Sequence, residues 1–391
     1  MRSLLTLALM LAASAASAAP DLPRPPNAGP PPPPLPMRPP LPTVRSEAVT
    51  RIVQYGPPPG VAHCGGRNVG VARNAPFAPE VSVAYLPVGS APDTPGRGDR
   101  NLSAVTFGID AKGAPIDVRR ADDAPASEDM LAALARWRFM AGAPASDCRV
   151  EVSQTYTPLT KAPTALLLEV VALRKREALT PVRSAISARG DCGRSPRRIP
   201  AITSYPDLRS FTGRDFSAPW AGVLYDIDAE GEVQNVRIAT QGGDPVLADL
   251  AAASIADSRF HSGKAVKGCY AVFSVRPETV EATAKAYPKP PSPSKERDCS
   301  DVKAAALNLS IQRSYPSAFA RQAVEGWALI EFDIRADGRI TPVNIVAAQP
   351  SAAFGTAARN MLASARPDTS VWDRKGCLIP VTFAMNAVTE D

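Results

Sequence analysis

Three times along this 391-residue chain an aromatic residue stands six positions before a glycine, with an isoleucine four before it and a valine five after it. The runs are Phe107–Val118 around Gly113, Tyr225–Val236 around Gly231 and Phe332–Val343 around Gly338. Each run places an apolar segment, a turn residue and a second apolar segment in sequence, the pattern of a β-hairpin. Trp327–Ile334, the Asp337-Gly338 turn and Ile340, Val343 and Ile345 form the clearest of the three. The chain therefore reads as three diverged copies of one small module, and a repeat of this kind constrains the fold more than any composition figure.

Helical spacing follows each hairpin. Ser127 is placed to cap a helix carrying Met130, Leu131, Leu134 and Trp137. Asp244-Pro245 opens a second, with Val246, Leu247, Leu250 and Ala251. Ser351 precedes a third, with Phe354, Ala357, Ala358, Met361 and Leu362. A closing strand is expected after each: from Val150, from Tyr270, and over Ile379–Met385. The predicted fold class is α+β, with three tandem modules, each a three-stranded antiparallel sheet with one or two helices. Their expected bounds are 61–157, 191–277 and 299–387. Residues 158–190 read as a linker holding either a helix or a strand, and 278–298 as a proline-rich linker.

Met1–Ala18 has the positive start, short apolar core and Ala16-Ser17-Ala18 site of a secretory leader. Its apolar run is shorter than the roughly 20 residues a spanning helix needs. The expected location is the periplasm, with an inner-membrane anchor as the alternative if the leader is retained. Residues 19–45 hold much of the excess of 42 prolines and read as a stiff, disordered spacer.

Six cysteines fall two to a module. Count alone allows fifteen connectivities. The repeat reduces these to Cys64–Cys148, Cys192–Cys269 and Cys299–Cys377, one bridge per module. Loops of this length are worth about 4 to 4.5 kcal/mol each in the chain-entropy model.

The sequence carries no recognisable catalytic motif, no phosphate loop and no metal-ligand spacing, and it has only two histidines, His63 and His261. The expectation is a protein with no enzymatic activity and no cofactor. A net charge of +6 is small for this length and forms no concentrated nucleic-acid patch. Asp110, Asp226, Asp228, Asp333 and Asp337 cluster at turns, where a carboxylate serves local backbone amides.

Tyr315-Pro316, Gly326, Phe332-Asp333-Ile334, Asp337-Gly338, Ile340, Val343 and Ile345 together resemble the C-terminal domain of TonB-family energy transducers. The second module keeps Tyr205-Pro206, Gly222 and Glu230-Gly231, and the first keeps Trp137-Arg138-Phe139. The resemblance implies two helices on a three-stranded antiparallel sheet, which binds the TonB box of outer-membrane receptors by strand addition. The candidate edge is Leu378, Ile379, Pro380, Val381, Thr382, Phe383 and Ala384. Pro380 lacks an amide, which suits an edge that accepts a partner and equally an edge blunted against aggregation. The implied partners are TonB-dependent receptors or other envelope proteins; the alternative function is an envelope scaffold with no part in energy transduction.

Overall fold

The computed structural model describes residues 46–90, 102–123, 126–173, 179–193, 198–211, 216, 218–281, 299, 302, 304–309 and 314–385. The expected leader (1–18) and spacer (19–45) lie outside the described residues.

The first unit comprises β1 (Ser46–Tyr55), β2 (Val61–Cys64), β3 (Arg67–Arg73), β4 (Glu80–Pro87), β5 (Leu102–Ile109), β6 (Pro115–Arg120), α1 (Glu128–Arg136), β7 (Arg138–Phe139) and β8 (Ala145–Pro158). The expected hairpin is β5–β6, closed by Asp110, whose carboxylate accepts from the amides of Lys112 and Ala114. The Ser127 hydroxyl accepts from the Met130 amide and caps α1, as its position predicts. The three-stranded expectation fails here, because β8 continues to Pro158 and pairs with β1 and β2 as well as β5, in an eight-stranded sheet. Ser46–Tyr55, which precedes the expected start at residue 61, is also a strand of this sheet.

The expected linker 158–190, read as holding a helix or a strand, contains two helices among its described residues. These are α2 (Thr164–Leu173) and α3 (Thr180–Ser187), whose Leu166, Leu167, Leu168, Val170, Val182 and Ile186 are buried. These side chains share a core with Ile52 of β1 and with Leu224, Tyr270 and Val272 of the unit that follows. α2 is apolar almost all round, which fits a helix enclosed on more than one side.

The second unit contains β9 (Pro200–Ile202), β10 (Trp220–Ile227), β11 (Val233–Gly242), α4 (Pro245–Ala256), β12 (Arg259–Phe260) and β13 (Val266–Ser274). Its main sheet is three-stranded and antiparallel, in the order β11-β10-β13. Ala221 and Val223 pack with Ala248, Ala251 and Ile255 of α4, while Leu224 packs on the α2 side. A Cβ on Gly222 would stand 2.9 Å from Leu168 Cβ and 3.0 Å from Thr240 Cγ2. The glycine thus sets how closely α2 approaches the sheet. Gly222→Val is expected to cost about 1–3 kcal/mol through overpacking, measured by urea denaturation; an unchanged midpoint would show that α2 is not held against this sheet.

The third unit contains α5 (Ser317–Arg321), β14 (Gly326–Ile334), β15 (Ile340–Gln349), α6 (Ala352–Ser364) and β16 (Arg374–Phe383), with sheet order β15-β14-β16. Its core is continuous with that of the first unit. At the junction Val118 N donates to Pro350 O (2.7 Å), and Asp117 and Gln349 exchange two hydrogen bonds. Arg321 pairs with Asp129 at 2.5 Å, both side chains less than one-fifth exposed. The expected linker 278–298 is packed at its start, where Val280 bridges Val324 and Glu278 O accepts from Arg136. Residues 282–298 lie outside the described residues.

Strand, strand, helix, strand recurs in all three units, and so do finer details. Arg138, Arg259 and Arg366 each follow a helix by two or three residues and donate to its last carbonyls. This places a cation at the negative end of the helix. Asp147, Gly268 and Gly376 each precede the closing-strand cysteine with φ of +53°, +70° and +60°.

Candidate partner-binding edge

β16 is held from three directions. Its ladder to β14 runs without a register shift from Gly326↔Phe383 to Phe332↔Cys377. Near Cys377 the Asp333 carboxylate accepts from the Gly376 amide at 2.7 Å, as Asp226 does from Gly268 in the second unit. At the far end Phe383 is fully buried against Phe354 and Tyr315, with ring centroids 5.4 and 5.5 Å away. The Tyr315 hydroxyl donates to Val324 O at 2.7 Å, and its phenol is pushed well above the usual tyrosine range by burial, then by the nearby Glu325 carboxylate. The Phe354 ring lies where any side chain on Gly326 would go, 2.5 Å from a Cβ there. These contacts give Tyr315-Pro316 and Gly326 a physical role. Tyr205 in the second unit is instead largely exposed.

Residues in a strand turn their amides alternately to either side. Pro380 has no amide and faces Leu329 in an unbroken ladder, so its nitrogen is on the side away from β14. By the same alternation Leu378 and Thr382 turn outward, while Ala384, expected on this edge, lies just past the end of the strand. Ile379, Val381 and Phe383 have their side chains in the core. Among the described residues no strand pairs with the outer side of β16.

The equivalent edge of the first unit is filled. Ala104 O accepts from Ala121, on the β6 side, so Ser103 and Val105 turn to β8 and bond Val152 and Val150. Arg149, Glu151 and Ser153 therefore turn away from β5. Their outer side receives His63 and Cys64 of β2, then Gly56, whose amide donates to Ser153 O at 2.9 Å, and then β1. The chain adds its own residues 51–56 and 63–64 to the closing strand of its first unit.

Cys64 is bonded to Cys148, Cys192 to Cys269 and Cys299 to Cys377, with Cα separations of 3.8, 5.1 and 5.1 Å. Each N-terminal partner lies at the start of a closing strand: Cys64 directly opposite Cys148, Asp191 N on Lys267 O, and Cys299 Sγ 3.5 Å from Lys375 O. The bridges thus tether the lead-in of each unit to one end of that edge, a role not readable from the pairing alone.

Asp110, Asp228 and Asp337 serve local turns as expected, whereas Asp226 and Asp333 do not: they accept from Gly268 and Gly376 of the distant closing strands. Asp228 accepts from Glu232 N and Gln234 Nε2, and Asp337 from Arg339 N. Slight burial raises the Asp228 pKa, but these bonds outweigh it and hold the carboxyl below its ordinary range. Phe107 and Phe332 are buried, and Phe107 stacks on Phe139 at 5.2 Å. Exposed His63 bonds Asn68 at 2.6 Å. Among the described residues no three His, Cys, Asp or Glu side chains are grouped as a metal site requires, and no helix is long and apolar enough to cross a membrane.

No curated protein matches the chain. Residues 311–385, the stretch that builds α5, β14, β15, α6 and β16, match the family described as the Gram-negative bacterial TonB protein C-terminal domain.

Proposed function

We propose that this is a non-enzymatic periplasmic TonB-like protein that binds outer-membrane receptors, or other envelope partners, by adding an extended partner segment to the outer side of β16. In this reading the first two units are diverged copies of the third. The observation that carries it is the contrast between two equivalent edges: β8 is covered by the chain itself, and no described strand covers β16. A strand added there gains main-chain hydrogen bonds of about 0.5–1.5 kcal/mol each, with specificity left to alternate side chains. Three disulfides fit an oxidising compartment.

The test is capture of the full chain on immobilised peptides from the N-terminal plug segments of TonB-dependent receptors. Leu378→Pro with Thr382→Pro removes two outward amides on either side of Pro380. Capture is expected to fall at least about tenfold, a loss of roughly 1.4 kcal/mol or more, with the circular dichroism spectrum retained. Equal capture by the folded variant would eliminate β16 as the binding edge. A second reading, an envelope scaffold with no part in energy transduction, is favoured by the tight joining of the units through Arg136 and Arg321.

A further inference from the structure

The second unit has a closing-strand edge of the same kind, in a different setting. Val275 N donates to Pro219 O on the β10 side, so Tyr270, Val272 and Ser274 turn their backbone groups outward. These are the counterparts of Arg149, Glu151 and Ser153, counted from Cys148 and Cys269, and Ser153 O is the group that accepts from Gly56 in the first unit. The N-terminal end of β13 is closed by the bond from Asp191 N to Lys267 O. Tyr270, Val272 and Ser274 line a groove of about 420 Å³ together with Arg183 of α3, Arg198 and, over the sheet, Tyr225. No described strand lies on this side of β13.

The groove has a charge preference as well as a free ladder. Arg183 is exposed. Arg198 donates through Nη2 to Asp228 O, while its Nε is buried without a hydrogen-bond partner among the described residues. Two guanidinium groups along a strip of outward backbone groups complement an extended segment that carries a carboxylate.

We infer that the outer edge of β13 is a second strand-accepting site, which takes an extended segment bearing an acidic side chain from a partner protein. The model for the docking is intramolecular: the first unit fills its own edge with residues 51–56 and 63–64 in antiparallel register. The inference stands on β13 and α3 and does not require β16 to bind anything. It makes the chain bivalent if both edges are used, so two weak contacts in one partner reinforce each other.

The probe is a synthetic peptide of residues 46–56, alongside a version with Arg51→Glu that carries an extra carboxylate. Each is added to the full chain, and amide hydrogen exchange is followed by mass spectrometry. The expected result is slowed exchange at Tyr270–Ser274, with the acidic peptide binding at least about fivefold tighter. Arg183→Glu, an exposed change on α3, should abolish that preference. Val272→Pro places a proline at the counterpart of Pro380; it removes one outward donor and should reduce, without abolishing, the protection at Tyr270 and Ser274. Slowed exchange confined to Leu378–Ala384 would overturn this inference and leave the β16 proposal standing; protection at Tyr270–Ser274 alone would support it, the β16 proposal resting on its own capture experiment. No protection at β13 with either peptide, or equal binding of both peptides by the wild-type chain, would also overturn it.

Discussion

Arg136→Met is expected to lower stability by about 3 kcal/mol and to split one unfolding transition into two. Arg136 is fully buried at the end of α1. Its Nη1 donates to Glu278 O (2.8 Å) and Gln322 O (2.5 Å), and its Nη2 to Phe216 O (2.5 Å). The guanidinium also lies 4.8 Å from the centre of the Phe216 ring. One side chain of the first unit thus joins the second unit's lead-in, the segment leaving it and the turn after α5. Burying a cation is costly, and here carbonyl dipoles and an aromatic face offset that cost. Methionine matches the stem but leaves three carbonyls without this donor, at roughly 1–3 kcal/mol for each that water cannot reach. Arg136→Lys should recover only part of the loss, because an ammonium lacks the planar fork that reaches three acceptors. Urea denaturation followed by both fluorescence and circular dichroism checks this; a coincident, unshifted transition in Arg136→Met would show that the units do not depend on the contact.

The second large effect is expected from removing Cys64–Cys148. The bridge closes an 84-residue separation, worth about 4.5 kcal/mol in the chain-entropy model. The Cys64→Ala, Cys148→Ala double variant should lose most of this. It should also show a local change that the Cys299–Cys377 counterpart does not. Freed β2 no longer covers Arg149, so exchange of the outward amides of β8 should accelerate before global unfolding. An uncovered edge also invites pairing between chains, so concentration-dependent association is expected on gel filtration. A variant that loses less than about 1 kcal/mol would mean that β2 is held by its ladder alone.

The repeated strand–turn–strand–helix–strand order was legible because its signals are local. Asp110, Asp228 and Asp337 mark turns by bonding nearby amides, and Ser127 and Asp244 cap helices within three residues. β1 was not legible for the opposite reason. Ser46–Tyr55 has its apolar residues in adjacent pairs (Ala48-Val49, Ile52-Val53) rather than in alternation, it lies between prolines, and its partners are Glu80–Pro87 and Gln154–Pro158. Periodicity reports which face of a strand is buried, not which distant strand it joins. α2 was ambiguous between helix and strand because Ala165–Leu173 is apolar on nearly every side, which erases the 3.6-residue signal. At the candidate edge, Pro380 was readable as an edge residue. The covering of the equivalent edge in the first unit was not, since it depends on residues 51–56 and 63–64 returning to a strand formed much later in the chain.

That return has a consequence in time. Among the described strands β1 leaves the ribosome first, yet its β8 partner follows about a hundred residues later. During that interval β1 has β4 to pair with, but β8, which forms its other ladder, has not yet appeared. Synthesis therefore runs ahead of assembly, and the earliest-made of the described strands is among the last to be fully seated. A chaperone that holds extended, β-branched segments would find its client here before the protein has any finished sheet.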